Sequence, residues 1–557
     1  MIRQIFNPYL PSCEYIPDGE PHVFGDRIYI YGSHDRFGGA GFCLNDYICY
    51  SADVRDLSEW RYEGVIYRKT QDPRNQNVPE DAPEQELRHG VRPKRPEDLN
   101  PRGIHAMWAP DVVKGKDGRY YLYYCLDFIS SIAVAVCGSP AGSFEYLGLV
   151  RYEDGTVLGE RDGDMVQFDP GAFIDDDGTI YLYSGNSPRR PEDDDRMHRS
   201  QVMKLADDML TVREGPYMLL PSVNESKGTG FEGHEFFEAS SIRHIGNRYY
   251  FIYSSVNSHE LCYCTSDRPD GGYSYGGTLV DIGNVFLGGK TEEETDNPLG
   301  NTHGSIENID GRWYVFYHRQ TDRTQFSRQG CAERIFIEED GSIRQAEVTS
   351  CGMNGRPLAG EGKYPAYICC GLTSGKGTVM SYPGTMRLDY PFLTQDEYDL
   401  DPEDIRMQQD RYEPVQYITN LLDSSKAVYK YFNLEGPSVI AVEIRASRYR
   451  DYDELGPEAF GNAEGVIEIS CENGGRIIGS IPVSGGKEWL QSSWHVDLPQ
   501  GIYPLILTFR GTGRLDIRSF SLYREEQARP QNRFDDYMND KTECRIWNSA
   551  CNCGKGE

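Results

Sequence analysis

The stretch Asp117-Gly118-Arg119-Tyr120-Tyr121-Leu122-Tyr123-Tyr124 decides the fold, because close versions of it recur along the first two-thirds of the chain. Each version is a glycine-centred turn followed by an aromatic-rich strand. The other copies are Gly25-Asp26-Arg27-Ile28-Tyr29-Ile30-Tyr31, Asp177-Gly178-Thr179-Ile180-Tyr181-Leu182-Tyr183, Gly246-Asn247-Arg248-Tyr249-Tyr250-Phe251-Ile252-Tyr253 and Asp310-Gly311-Arg312-Trp313-Tyr314-Val315-Phe316-Tyr317. The last four central glycines lie 60, 68 and 65 residues apart, after a first gap of 93. Strand-rich units of this length indicate a radial repeat such as a β-propeller.

Polar residues keep nearly the same distance from these turns. Asp18, Asp169, Glu238 and His303 lie seven, nine, eight and eight residues before the central glycine of the next turn. In a propeller the innermost strand of each blade lines the central channel, so residues at equal positions converge on one small volume. Two or three carboxylates brought together in this way are what the hydrolysis of a glycosidic bond needs. The pattern therefore predicts an enzyme site in the channel.

Composition narrows the class of protein. At 557 residues the chain is long enough for two or three domains. The formal charge of −30 argues against nucleic acid as a partner, because a phosphate backbone requires a basic surface. No apolar run of 18 residues occurs, so no membrane partner is expected. The N-terminus lacks a signal-peptide pattern, and we therefore expect a cytoplasmic location.

The fifteen cysteines are an odd number, and several of them lie within predicted strands. In a reducing compartment they are expected to be buried thiols rather than disulfides. A zinc site formed by Cys544, Cys551 and Cys553 is the alternative for the C-terminal tail. These three thiolates lack a well-spaced fourth ligand, so the thiol interpretation is favoured.

The repeat also predicts the domain organisation of an all-β protein. The propeller spans 1–351, and its long first gap contains an excursion loop at about 68–104, which we expect to overhang one mouth of the channel. A Gly-, Pro- and Ser-rich stretch at 352–378 predicts a linker. Short strands without the repeat at 379–524 predict an antiparallel β-sandwich, and 525–557 is a polar tail.

Several segments resemble glycoside hydrolase family 43, in that family's order and spacing, over about residues 6–350. They are Pro17–Asp26, Trp108–Val112, Phe168–Phe173, Glu238–Ile242 and Thr302–Gly304. The resemblance implies a five-bladed propeller and hydrolysis with inversion at the anomeric carbon. Members of the family are mostly arabinofuranosidases, xylosidases and arabinanases.

The resemblance assigns Asp18 as the general base, Asp169 as the acid that tunes the proton donor, and Glu238 as the general acid. Chemistry agrees with these roles, because an inverting enzyme needs one carboxylate to activate water and a protonated one about 6.5–9.5 Å away. An ionised Asp169 near Glu238 would raise the pKa of Glu238 by like-charge repulsion.

One position departs from the family pattern. The family usually has Asp-Pro at the base, whereas Asp18 is followed by Gly19-Glu20-Pro21, so Glu20 is the alternative base. Counting back from the turn at Gly25 favours Asp18, because the family's base also lies seven residues before that glycine. Glu20 is kept as a substrate-binding candidate.

Other residues are candidates for binding substrate or metal. Trp108 resembles the family's sugar-stacking position. His303 matches the channel histidine that in the family often faces a water or a bound calcium, so Ca²⁺ is a candidate ligand although no cofactor is required. A satisfied channel histidine without metal is the alternative. His318 and Arg319 follow the fifth repeat strand; Arg319 is taken as substrate-binding, with packing at the strand end as the alternative.

The C-terminal sandwich resembles a family 6 carbohydrate-binding module around Trp494-His495-Val496-Asp497-Leu498. Such modules bind sugars with loop aromatics, for which Trp489, Trp494 and Tyr452 are candidates. A sandwich that only braces the propeller is an equal alternative.

The expected function is that of an inverting exo-glycosidase, which removes terminal arabinofuranosyl or xylosyl residues from oligosaccharides derived from plant polysaccharides. Two alternatives stay open: a related furanosidase, for example one acting on galactofuranose, and a non-catalytic sugar-binding propeller. The substrate is an oligosaccharide, and a homo-oligomer is compatible with the sequence.

Overall fold

The structure is a computed structural model that describes residues 4–76, 98–378, 390–396, 416–450, 453–454 and 460–524. It confirms an all-β protein with a five-bladed propeller followed by a β-sandwich. The centre of the predicted excursion loop, Tyr452 and the polar tail with its three cysteines lie outside the described residues. Within the described ranges no helix is long and apolar enough to cross a bilayer.

Five sheets form the blades, each with its inner strand on the channel. The strands are β1 (Glu20–Phe24), β2 (Arg27–Tyr31), β3 (Tyr47–Asp53) and β4 (Asp56–Tyr67) in blade one; β5 (Met107–Lys114), β6 (Tyr120–Leu126), β7 (Ile129–Cys137) and β8 (Glu145–Leu149) in blade two; β9 (Arg151–Tyr152), β10 (Gly171–Ile174), β11 (Ile180–Ser184), β12 (Gln201–Leu205) and β13 (Thr211–Met218) in blade three; β14 (Phe236–Ile245), β15 (Arg248–Ser255), β16 (Glu260–Ser266) and β17 (Ser274–Asp281) in blade four; and β18 (Ile306–Ile309), β19 (Arg312–Gln320) and β20 (Arg328–Ile335) in blade five. Short 3-10 helices occur at Lys69–Gln71, Pro73–Asn75, Pro191–Asp193, Leu287–Gly289, Glu292–Glu294, Gly352–Asn354 and Ala366–Ile368.

The blades close into a ring. The inner strands contact their neighbours in the order β18, β1, β5, β10 and β14, and the hydroxyls of Ser241 and Ser305 hydrogen-bond at 2.7 Å across the junction of blades four and five. The N-terminal segment lies along β20, where Asn7 exchanges side-chain hydrogen bonds with the backbone N–H and C=O of Ala332. Blade five therefore gains an outer edge from the start of the chain, which ties the two ends of the propeller together.

Tyrosines of the repeated phrase fill the spaces between blades. Tyr31, Tyr124, Tyr183, Tyr253 and Tyr314 are at most 1% exposed and belong to three apolar clusters, each shared by two neighbouring blades. Their alternation along the strands explains this packing, because successive side chains of a strand face opposite blades. These tyrosines therefore pack between blades. The twelve cysteines of the described part are likewise free thiols, as predicted.

Two sheets form the sandwich. The first has the order β21 (Leu358–Ala359), β26 (Lys426–Glu435), β33 (Gln500–Thr512), β30 (Ala463–Ser470) and β31 (Gly479–Gly485), with β23 (Gly371–Thr373) also on β26. The second has the order β24 (Phe392–Thr394), β25 (Tyr417–Leu421), β34 (Leu515–Tyr523), β27 (Ser438–Ala446) and β32 (Leu490–Val496), with β22 (Gly362–Pro365) also on β34. A separate hairpin joins β28 (Tyr449–Arg450) to β29 (Asp453–Glu454).

The predicted linker at 352–378 is wrong. This segment contributes β21, β22 and β23 to the sandwich, and Leu358, Tyr364 and Leu372 are buried in its core. Each strand is only two to four residues long and contains or adjoins glycine or proline, so this composition concealed the strands.

The sandwich packs closely on the propeller. The Leu393 N–H donates to the Thr321 carbonyl at 2.8 Å, Lys430 pairs with Glu347 at 2.9 Å, and the Gln416 amide hydrogen-bonds to the Tyr15 hydroxyl. These contacts join the sandwich to blade five and to the chain that leads into β1.

Candidate active site

Four polar side chains meet in the channel, each from a different blade. His303 Nδ1 lies 3.9 Å from Asp18 Oδ1 and 3.7 Å from Asp169 Oδ2. The negative charges of Glu238 and Asp18 both raise the pKa of Asp169. We call Asp18, Asp169, Glu238 and His303 the first layer. The fold therefore brings together the four residues that share nearly the same distance from a repeated turn.

The backbone of the inner strands is irregular at this layer. Four matching positions adopt the left-handed conformation, with φ between 33° and 71°: Asp18, Ala109, Asp169 and Ala239. The register of the inner strands shifts directly after Trp108 and directly after Glu238. Such bulges turn a side chain away from the regular pleat, at a cost that the surrounding structure must offset. Here they aim the first-layer side chains into the channel.

Asp18 is held by hydrogen bonds to both its backbone and its side chain. Its N–H donates to Nδ1 of His318 at 3.1 Å, and Nε2 of His318 donates to the Asn301 carbonyl at 2.9 Å. Arg328 Nη1 donates to Asp18 Oδ1 at 3.1 Å, and the same guanidinium binds both carboxylate oxygens of Asp35 at 2.8 and 2.9 Å. Asp35 thus fixes Arg328 against Asp18.

These contacts decide the charge of Asp18. Burial alone would raise its pKa, but Arg328, His318 and His303 together lower the pKa below its ordinary value. Burial also lowers the pKa of His318 to about 3, so this imidazole is neutral and acts as an acceptor. Asp18 is therefore an ionised carboxylate near neutral pH.

The other two carboxyl groups behave in the opposite way. Burial raises the pKa of Glu238 to about 7, with a further rise from the charge of Asp18 against a lowering by Arg189. Burial and the neighbouring Glu238 raise the pKa of Asp169. Two buried carboxyls this close cannot both ionise easily, so the pair holds one proton near neutral pH.

An aromatic wall borders the first layer. The half-buried Trp108 ring makes edge-to-face contacts with Phe168 at 5.3 Å and Phe42 at 6.0 Å between ring centroids. Phe42 also packs on Phe326 at 4.7 Å and under the Arg328 guanidinium at 4.7 Å. A half-exposed indole beside an acid cluster is suited to stacking on a sugar ring.

A second polar layer lies further along the same inner strands. Arg243 Nη2 is 3.3 Å from Glu20 Oε2, and Arg243 Nε is 3.4 Å from Glu307 Oε2. His22 Nε2 hydrogen-bonds to Asp111 Oδ1 at 2.7 Å. We call these five side chains the second layer. Each of its carboxylates has a cationic or hydrogen-bonding partner.

Comparison with protein families matches residues 21–343 to the family described as "Glycosyl hydrolases family 43". The chain belongs to glycoside hydrolase family 43. A "Xylosidase/arabinosidase" of Thermoclostridium stercorarium is 47% identical over 94% of this chain and 99% of its own length. A second "Xylosidase/arabinosidase", from Bacteroides ovatus, is 29% identical over 56% of this chain and 87% of its own length.

Solved structures of the family also resemble the chain. A family 43 arabinoxylan arabinofuranohydrolase from Bacillus subtilis, in complex with cellotetraose, aligns with 93% of this chain and 97% of its own, at 18% identity and a TM-score of 0.44. Family membership confirms that this protein is a glycoside hydrolase.

Two residues expected to bind substrate in this family 43 enzyme lie elsewhere. Glu20 begins strand β1 and pairs with Arg243 in the second layer, because the regular strand starts only after the left-handed turn at Asp18. Arg319 donates to Asn297 Oδ1 at 3.1 Å and to the Cys369 carbonyl at 3.2 Å, at the contact with the sandwich. Arg319 follows His318 on a strand, so the two side chains point in opposite directions.

The aromatic candidates of the sandwich have separate environments. The Trp489 ring lies 4.3 Å from the Arg445 guanidinium and 4.8 Å from that of Arg518, so ring contacts to two cations already involve it. Trp494 is 51% exposed on β32, an edge strand. Trp494 is therefore the more exposed of these two indoles.

The calcium expected near His303 does not fit the donor atoms around it. Ca²⁺ takes six to eight oxygen ligands at about 2.3–2.6 Å. Three channel donor atoms close enough to share an ion, within the described ranges, belong to Glu20, His22 and Asp111 rather than to His303. Arg243 already pairs with Glu20, and His22 with Asp111.

Sequence reasoning missed several residues of the site. Arg328 and Asp35 belong to no repeated phrase, and Asn186 and Arg189 follow β11 in a loop. The distance from the turn identifies only residues on the inner strands. A signal for Asn186 and Arg189 was their place directly after the third aromatic strand, at the end that faces Glu238.

Proposed function

We propose that this enzyme is an inverting exo-glycosidase that removes terminal xylosyl or arabinofuranosyl residues from short oligosaccharides. One observation carries the proposal: an ionised carboxylate, Asp18, shares the first layer with the proton-holding pair of Asp169 and Glu238. Inverting hydrolysis requires an ionised base and a protonated acid at the same pH.

Asp18 is the general base in this proposal. It takes a proton from a water molecule, while the water oxygen forms its bond to the anomeric carbon from the face opposite the leaving group. Arg328 keeps Asp18 ionised and holds its carboxylate in place, and the neutral His318 accepts from the Asp18 N–H and fixes the backbone. Because attack and departure occur on opposite faces, the product has inverted configuration.

Glu238 is the general acid. It passes its proton to the glycosidic oxygen as the bond from that oxygen to the anomeric carbon breaks, and it becomes a carboxylate. Repulsion between Asp169 and Glu238 raises the pKa at which the pair loses its shared proton, so that the proton is present before the reaction. His303 lies between Asp18 and Asp169 and separates the two negative charges.

The glycone assignment rests on similarity. The relative that is 47% identical over 94% of this chain is named a xylosidase/arabinosidase, a pair of activities that share five-carbon glycones. Trp108 is placed to stack on the sugar beside the acid pair. Exo action is supported by the same relative, whose name denotes release of single sugars.

A panel of 4-nitrophenyl glycosides tests this function. We expect turnover of the β-D-xyloside, the α-L-arabinofuranoside or both, with little turnover of glucosides. Proton NMR in the first minutes should show the anomer opposite to that of the substrate. Release of the retained anomer would contradict the roles of Asp18 and Glu238. Preference for a β-D-galactofuranoside would instead favour the related furanosidase.

A further inference from the structure

The end of β11 and the loop after it contact Glu238 and the residue that precedes Asp169. Ser184 Oγ accepts from the Phe168 N–H at 2.9 Å and donates to the Phe168 carbonyl at 3.0 Å, and the Gly185 N–H donates to that carbonyl at 2.9 Å. Phe168 directly precedes Asp169. This end of the loop therefore fixes the backbone that carries Asp169.

The close approach of the loop requires glycine at position 185. Gly185 has a φ of 132°, and a Cβ atom there would lie 1.9 Å from the Arg199 carbonyl oxygen. The loop is thus wedged between Phe168 and the neighbouring strand β12, with no space for a larger residue.

The other end of the loop contacts Glu238. The Ser187 N–H donates to the Phe237 carbonyl at 2.7 Å, next to Glu238 in the chain. Asn186 Nδ2 donates to Glu238 Oε2 at 3.2 Å. The Arg189 guanidinium lies over the Phe237 ring at 4.1 Å and donates to Ser258 Oγ at 3.1 Å. Residues of blade three therefore hold the backbone and ring of Phe237 and the carboxyl group of Glu238.

We propose that Asn186 and Arg189 are positioning residues for the general acid Glu238. They also favour the loss of its proton during cleavage. The proposal rests on the function proposed above. Oε2 of Glu238 accepts the Asn186 N–H, so the transferable proton is carried by Oε1. When that proton moves to the glycosidic oxygen, the hydrogen bond from Asn186 becomes charge-assisted and strengthens.

Arg189 supplies the positive charge on this side of Glu238. Four charged groups face Glu238. They are Asp169 and Arg189 from blade three, Asp18 from blade one and Arg328 from blade five. Arg328 is already bound to Asp18 and Asp35. Arg189 is exposed, so it is a cation on this side of Glu238 that solvent can reach.

Leaving-group dependence distinguishes positioning of the acid from general damage. A dinitrophenolate departs without protonation, whereas an alkyl or sugar alcohol needs the proton. We expect Asn186→Ala to lower kcat/KM about 10- to 100-fold for an unactivated disaccharide and within about 3-fold for the 2,4-dinitrophenyl glycoside. An equal loss on both substrates would overturn the proposal.

The pH profile tests Arg189 separately. Arg189→Met keeps the stem over Phe237 but removes the charge, so Glu238 should retain its proton to higher pH. The alkaline limb of kcat/KM should then move up by about 0.5–1 pH unit, and Arg189→Lys should restore it. Arg190→Met is the matched control, because Arg190 is bound to Asp193 at 2.6 Å and is 68% exposed. An unmoved limb in Arg189→Met would contradict this role.

Glu238→Ala separates the two proposals. If Glu238→Ala itself shows no leaving-group dependence, the proposed function fails. If Glu238→Ala shows that dependence and Asn186→Ala does not, only the positioning role fails. Arg189 is exposed, so its variants test the inference even where Asn186→Ala lowers the yield of folded protein.

Discussion

The two layers of the channel use the same inner strands and similar residues, yet only one of them is suited to catalysis. Each layer contains three carboxylates and one histidine, and an arginine binds a carboxylate of each: Arg243 within the second layer and Arg328 beside the first. In the second layer Arg243 lies between Glu20 and Glu307, and His22 binds Asp111. In the first layer Arg328 is bound to Asp18 and Asp35, and two carboxyls face each other without a buried cation of their own.

The difference shows that an acid cluster is made reactive by how its charges are paired. Burial raises the pKa of both Glu20 and Glu238 to about 7. The Glu20 carboxylate is bound to Arg243, so it is not free to exchange a proton with a substrate. Two buried carboxyls that repel each other share a proton near neutral pH, which a general acid needs. The backbone of the two layers also differs. Glu20 and His22 pair in regular register with Tyr31 and Tyr29, whereas the register shifts on both sides of Glu238 in the first layer.

The largest effect should come from exchanging one carboxylate for its amide in each layer. Asp18→Asn keeps the size and a hydrogen bond to Arg328 but cannot accept the proton of water, so kcat should fall about 10²–10⁴-fold. Glu20→Gln is the matched change in the second layer and should stay within about 3-fold. Steady-state kinetics on one aryl glycoside measure both. A large loss in Glu20→Gln with little loss in Asp18→Asn would make Glu20 the base.

A smaller effect is expected from removing the cation of the first layer. In Arg328→Met the pKa of Asp18 should rise, because its main lowering partner is lost. The proposed general base acts in its ionised form, so the acidic limb of kcat/KM should move to higher pH and the maximum should fall about 10-fold.

Arg243→Met provides the comparison in the second layer. It also removes a buried cation, and both variants should lose stability on the order of 3–5 kcal/mol. Only Arg328→Met should displace the acidic limb. If both variants displace it equally, the two layers act as one electrostatic unit, and the distinction between them is lost.

The first layer could be predicted from the sequence because the position of each of its residues is set within a single blade. Each blade repeats one turn and one strand, so Asp18, Asp169, Glu238 and His303 are placed by their distance from a glycine within the same blade. Arg328 and Asp35 meet across 293 positions of the chain. Such a contact depends on ring closure, which no spacing within a blade reveals.

The missed strands of the sandwich have a similar explanation. β21, β22 and β23 are too short to show alternation, and they are strands only because β26 and β34 pair with them. Asp18 and Glu20 illustrate the same limit at the site. Alternation would place both on one strand face, but the left-handed turn at Asp18 breaks the strand before Glu20.

The smallest effect concerns stability rather than catalysis. Burial raises the pKa of Glu20 to about 7, with a further rise from Asp111 against lowering by Arg243 and His22. A carboxyl whose pKa is raised by folding stabilises the protein below its unfolded pKa and loses that contribution as the pH rises through the folded value. Glu20→Gln cannot ionise, so it should gain stability relative to the parent as the pH rises. Denaturant unfolding at pH 5 and pH 8 should show a relative gain of about 1–3 kcal/mol at the higher pH. A relative loss at pH 8 would mean that the ion pair with Arg243 outweighs burial, and that the second layer is held together by charge.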